Sequence, residues 1–201
     1  MQKILVWDVP VRLGHWLMAG GFALAWLTGE REAWRLVHVL AGGTVMAVAL
    51  FRVVWGVIGS RHARFASFVR GPRHTLDYIK HMLRWAPPHC TGHNPAGAVA
   101  VVLLLALALL SGASGWLAYQ DIGGQWLAKA HEACTSAMLA VAAAHVLGAI
   151  ASSLAHRENL VRAMLTGRKL GQPQEAIAKP HWLAAAVLLL WAAAGAWWLA
   201  R

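Results

Sequence analysis

The 201-residue chain is 59% hydrophobic and 13% charged, with a mean hydropathy of +0.51. A water-soluble domain carries about a quarter charged residues, so an ordinary soluble fold is excluded. The net charge of +10 falls in clusters between long apolar runs, which argues against a nucleic-acid-binding face and matches the loops of a membrane protein.

Five segments reach or approach the roughly 20 apolar residues that a spanning helix needs. The first, 13–28, is the shortest. A cleaved signal peptide is the alternative for it, but the run ends in Trp26, Leu27 and Thr28 instead of a small-residue cleavage site. The second segment, 34–58, is followed by a loop bearing Arg61, Arg64, Arg70, Arg73, Lys80 and Arg84. Within that loop Pro72 opens a short helix whose Leu76, Ile79, Met82 and Leu83 form an apolar stripe beside Lys80 and Arg84; such a helix lies on a membrane surface. The third and fourth segments are 96–119 and 126–155, and a short stretch at 159–165 reads as a second surface helix or as a prolongation of the fourth. A second basic loop, 156–180, holds Arg157, Arg162, Arg168, Lys169 and Lys179 ahead of the fifth segment, 182–200.

The 29–33 connection offers only Arg31, beside Glu30 and Glu32, and the 120–125 connection has no basic residue. The positive-inside rule therefore places the N-terminus and both long loops in the cytoplasm and the C-terminus outside. Trp26, Trp34, Trp116, Trp126, Trp197 and Trp198 then fall near the outer boundary, and Trp7, Trp16, Trp55, Trp85 and Trp182 near the inner one, as an aromatic belt requires. Cys90 and Cys134 stand outside any CxxC or CxxCH motif, so zinc-ribbon, thioredoxin-like and covalent c-type haem readings have no support.

Four histidines lie inside the apolar segments: His15, His38, His131 and His145. Ionisable groups there are costly and mark function. His131 and His145, fourteen residues apart in the fourth segment, share nearly one helical face and sit roughly 21 Å apart along the axis. The alternating directions put His15 and His145 near the inner side, and His38 and His131 near the outer side. Two pairs at two depths are what two six-coordinate haems need. Gly14, Gly42 and Gly148 sit close to these histidines, where a flat macrocycle needs room or where helices need only pack closely. Arg52, fourteen positions after His38, reads equally as a partner for an inner-haem propionate or as a snorkelling side chain. Arg12, Arg35 and Lys129 are weaker candidates of the same kind. His89, Cys90 and His93 suggest a metal site but lack a fourth ligand, and a solvated loop suits them better.

The opening VWDVPVRLGHW, the second helix LVHVLAGGTVMAVALFRVVWGVIGSRHARF, the GHNPAG before the third helix and the fourth helix with His131 and His145 together resemble the bacterial cytochrome b561 family, which groups with the cytochrome b subunits of nickel-iron hydrogenases. The resemblance covers about residues 5–170. It implies two non-covalent b haems in a four-helix core, with ligands from helices 1, 2 and 4; here those positions are His15, His38, His131 and His145. The expected fold is an all-α integral membrane protein: a four-helix transmembrane bundle over residues 1–170, then a linker and a fifth C-terminal transmembrane helix in 171–201. That extra helix departs from the family pattern and leaves open whether it docks a partner or only meets lipid.

The function this implies is electron transfer across the bacterial inner membrane between the quinone pool, with ubiquinone as candidate, and a redox partner such as a periplasmic c-type cytochrome. A superoxide:ubiquinone oxidoreductase acting without a partner is the alternative; Lys129 and Arg35 are the only charges near an outer entry that would steer the anion. A proton relay or transporter built on the same histidines is a third reading, and it would be colourless.

Overall fold

A computed structural model describes residues 2–201. In chain order it contains β1 (Gln2–Leu5), α1 (Val9–Thr28), α2 (Arg35–Ile58), α3 (Phe65–Phe68), α4 (Pro72–Leu83), α5 (Pro95–Tyr119), α6 (Gln125–His156), α7 (Leu160–Thr166), β2 (Arg168–Gly171) and α8 (Trp182–Leu199). Four helices are long and apolar enough to cross a membrane: α2 with the turn before it, α5, α6 and α8. The 20-residue α1 has the length, but Arg12, His15 and three glycines dilute its apolar character. Its start lies four residues before the apolar run because Asp8 caps it, with the Val11 amide donating to Oδ1 at 2.8 Å, and Pro10 fits the first turn. Asn94 caps α5 in the same way, accepting from the Gly97 amide at 2.7 Å ahead of Pro95.

Packing divides the long helices into two groups. Helix α2 lies against α1 on one side and α8 on the other, while α5 and α6 lie together and join the first group through α2 and α5. Val45 and Ala49 of α2, Leu105 and Ala108 of α5 and Met138 of α6 form the buried cluster that links them. Small residues bring α8 onto α2: a Cβ on Gly195 would stand 2.8 Å from the Ala47 Cβ, and one on Gly43 would stand 3.2 Å from the Ala196 Cα. The Trp191 indole N–H donates to the Ala47 carbonyl at 2.8 Å, and Leu188 is fully buried beside Val48. Close backbone approach is how helices associate where lipid removes the hydrophobic drive. Helix α8 is therefore seated on the bundle through one face.

The N-terminal side of the bundle is capped by polar structure that departs from an all-α reading. Strands β1 and β2 pair antiparallel, with Gln2 opposite Gly171 and Leu5 opposite Arg168. The Val6 and Trp7 amides both donate to the Gly167 carbonyl, at 2.8 and 3.0 Å. The stretch before α8 is tied to the same cap through Val9 N–H to Pro180 O and Ile177 N–H to Leu5 O, each at 2.9 Å. The 159–165 stretch does not prolong α6. Arg157 adopts a left-handed backbone, φ 52°, and Asn159 caps α7 as a separate short helix. Trp7 and Trp55 also leave the aromatic belt: Trp7 is 5% exposed, and the half-buried Trp55 donates its indole N–H to Asp8 Oδ2 at 2.9 Å. Helix α4 keeps its apolar stripe outward at Leu76, Ile79 and Leu83, while Tyr78 on the other face is buried.

Asp8 is wholly buried and satisfies two donors at once. Asp8→Ala strands the Val11 amide and the Trp55 indole, so it should cost about 2–3 kcal/mol. Thermal unfolding in detergent, compared with Asp8→Asn, checks this; a midpoint shift within error would show that the two bonds contribute nothing.

Acid should also weaken this cap. Burial pushes the His62 imidazole below its ordinary value, an effect partly opposed by its Nε2–H bond of 2.7 Å to the Glu175 carbonyl. Below about pH 6.5 the unfolded chain takes up a proton that this native imidazole refuses, so stability is present above that pH and is lost as the pH falls towards the depressed native value. The unfolding midpoint should drop on acidification and drop less in His62→Gln; equal drops in both proteins would refute a role for His62.

Candidate haem site

Helix α6 lies along α5 and meets α1 and α2 only marginally, so a cleft runs between α6 and the α1/α2 pair. Two imidazole pairs face each other across it. The His15 and His145 ring centres are 6.4 Å apart, and those of His38 and His131 are 6.1 Å apart. All four residues are half-buried.

These separations have a chemical meaning. A metal–imidazole bond is about 2 Å long, and a ring centre lies about 1.1 Å behind its nitrogen, so two imidazoles on opposite sides of one metal have centres roughly 6 Å apart. Among the described residues no group of three or more His, Cys, Asp or Glu is placed to hold a metal ion. The geometry suits a metal whose remaining ligands come from a planar macrocycle.

The outer pair is oriented by the backbone. His38 Nδ1–H donates to the Ala25 carbonyl at 2.8 Å, and His131 Nδ1–H donates to the Ser111 carbonyl at 2.8 Å. Each bond fixes the tautomer and leaves the Nε2 lone pair free for a metal. The two sites share a local device. The acceptor carbonyl is followed four residues later by a glycine, Gly29 or Gly115, against which the ring lies: a Cβ at 115 would come within 2.7 Å of the His131 ring, and one at 29 within 3.5 Å of His38.

Gly42 and Gly148 have nothing within 4 Å of an ideal Cβ, whereas one on Gly14 would meet Val48 at 3.4 Å and Leu188 at 3.6 Å. Gly14 therefore serves contact among α1, α2 and α8, and only the other two have open space beside them. Arg52 does not snorkel. It is 7% exposed, its guanidinium lies 5.0 Å from the centre of the Phe65 ring, and both Nη atoms are buried without a partner. Buried guanidinium donors left unpaired are costly, and a haem propionate is the kind of acceptor they lack.

The remaining candidates separate. Arg12 gives Nη2 to the Leu165 carbonyl while its Nε stays buried and unpaired. Arg35 lies 3.4 Å from Glu32 and over the Tyr119 ring, and Lys129 is exposed. His93 departs from the solvated-loop reading. Its ring packs between Trp7 and Phe68 at 4.6 and 4.4 Å, and its Nδ1 is shut from solvent without a partner. Burial, then the neighbouring Arg52 charge, pushes it well below the ordinary imidazole value. The loop around it is pinned by Lys169 Nζ, which donates to the Cys90 carbonyl at 2.9 Å. The signal available in sequence was the GHNP run itself, with Asn94 capping α5 and so carrying His93 inward.

Comparison with known proteins gives the same direction. The family described as prokaryotic cytochrome b561 matches residues 6–167. A protein of Rhodobacter capsulatus named "Probable Ni/Fe-hydrogenase B-type cytochrome subunit" is 25% identical over 83% of this chain and 81% of its own length. One of Rhizobium leguminosarum bv. viciae with the same name is 23% identical over 87% of this chain and 92% of its own. The Escherichia coli K12 "Probable Ni/Fe-hydrogenase 1 B-type cytochrome subunit" is 26% identical over 58% and 60%. No solved structure matches the chain.

Proposed function

We propose that this chain, which belongs to the prokaryotic cytochrome b561 family, carries electrons across the bilayer between membrane quinone and a redox partner through two b haems. As a multi-pass membrane b-type cytochrome it serves electron transfer. The observation that carries the finer reading is the pair of imidazole couples, with ring centres 6.4 and 6.1 Å apart, facing each other across one cleft.

In this reading His15 and His145 hold the inner haem, and His38 and His131 the outer one. Bound haem supplies reversible one-electron chemistry. The chain supplies the rest. Ala25 and Ser111 carbonyls aim the outer imidazoles and raise their basicity, and Arg52 offers two guanidinium donors to a propionate at the inner end. Gly42 and Gly148 leave room beside the macrocycles. Helix α1 completes five spans, with the N-terminus and basic loops in the cytoplasm, the C-terminus outside and the inner membrane as the location. The relatives are named as hydrogenase subunits, so a membrane-attached hydrogenase or an equivalent redox protein is the partner we assign.

A pyridine haemochrome assay with redox titration on purified protein tests this. Two b haems per chain and two resolved potentials are expected. A colourless protein, or a single haem per chain, overturns the reading.

A further inference from the structure

Outside the haem cleft, α6 and α7 meet at a sharp junction. Where Arg157 turns the chain, a cavity of about 290 Å³ opens among Lys3, Arg157, Arg162, Arg168 and Glu158. Glu158 is already engaged, accepting the Leu170 amide at 2.6 Å and lying 4.0 Å from the buried Lys169 ammonium. Lys3, Arg157, Arg162 and Arg168 are exposed, and none is within ion-pair distance of a carboxylate among the described residues. Four uncompensated cations thus converge on one concave surface.

A second cavity of about 330 Å³ adjoins it, sharing Arg157, Glu158 and Asn159 and walled by Ile150, Leu154 and Val161. Those three apolar side chains are 48%, 64% and 50% exposed; Ile150 and Leu154 continue the outward face of α6 down to the charged cavity, and Val161 of α7 stands across from them. A free anion would not need the apolar wall, and an acyl chain would not need four cations. An amphiphile with a phosphate head needs both, and guanidinium groups bind phosphate oxygens through paired N–H donors.

We propose that this junction is a binding site for an anionic phospholipid of the leaflet on the N-terminal side, best filled by the doubly charged diphosphatidylglycerol class. The phosphates lie among Arg157, Arg162, Arg168 and Lys3, and an acyl chain follows Leu154 and Ile150 along α6. The inference needs only that the chain is membrane-embedded and does not depend on the haem assignment.

Native mass spectrometry of the full chain in detergent, titrated with cardiolipin, phosphatidylglycerol and phosphatidylcholine, tests it. Cardiolipin should be retained at least about tenfold more strongly than phosphatidylcholine, since each basic residue near the surface adds attraction for anionic lipid. The R157Q/R162Q/R168Q variant should lose that preference, and its triple-lysine counterpart should keep most of it. Leu154→Gln should weaken lipid retention without changing binding of inorganic pyrophosphate. Equal retention of phosphatidylcholine, an unchanged glutamine variant, or pyrophosphate displacing cardiolipin at equal concentration would overturn the proposal. The Soret absorbance per chain should be the same in all variants, so failure here is distinguishable from failure of the haem reading.

Discussion

Replacing His38 by alanine should remove one b haem per chain and leave the other in place. His38 stands across the cleft from His131 with ring centres 6.1 Å apart, and its Nδ1 is anchored on the Ala25 carbonyl. Alanine there deletes one axial ligand and leaves the Ala25 carbonyl without the imidazole bond, so the outer cofactor would be held by His131 alone. Loss of a partner that merely orients a ligand typically costs 10–100-fold in metal affinity; loss of the ligand itself should exceed that. The inner pair is undisturbed, since it lies roughly 21 Å away along α6. Haemochrome quantitation should fall from two haems per chain to one, and redox titration should lose one wave while the other keeps its midpoint. His15→Ala should remove the opposite wave. Unchanged stoichiometry in His38→Ala would show that the facing rings are not a ligand pair.

The pairing by depth could be read from residue order because three facts combine. His131 and His145 repeat at fourteen residues on one helix, His15 and His38 begin successive apolar segments, and the basic loops set their directions. Helix positions were legible for the same reason: long apolar runs leave the backbone only one way to satisfy its hydrogen bonds in lipid. The cap was not legible. Strands β1 and β2 are four residues each and lie more than 160 positions apart, and nothing local in QKIL or RKLG names its partner. Trp55 reads as a belt residue because Asp8, whose buried carboxylate draws it inward, has no periodic signature. The break at Arg157 was hidden because its left-handed turn falls on an arginine instead of a glycine. The three glycines beside the histidines looked alike in sequence, and only packing separates Gly14 from Gly42 and Gly148.

That separation yields the second large effect. Gly42→Leu should strip the outer haem while leaving the polypeptide fold intact. An ideal Cβ at 42 meets nothing within 4 Å, so the protein alone offers no steric reason for the larger side chain to destabilise it. Gly42 follows His38 by one helical turn, on nearly the same face, so an isobutyl group there would project into the space a macrocycle between His38 and His131 must occupy. Gly14→Leu should behave in the opposite way. A Cβ there would already touch Val48 and Leu188, so the further carbons of leucine would overpack the α1/α2/α8 contact at a cost of about 1–3 kcal/mol, lowering the unfolding midpoint without singling out one haem. The pair of variants therefore separates cofactor exclusion from helix packing. Haem stoichiometry and thermal unfolding measured on both would decide it: if Gly42→Leu keeps two haems per chain, position 42 faces lipid and the cleft between α6 and the α1/α2 pair is not where the outer macrocycle sits.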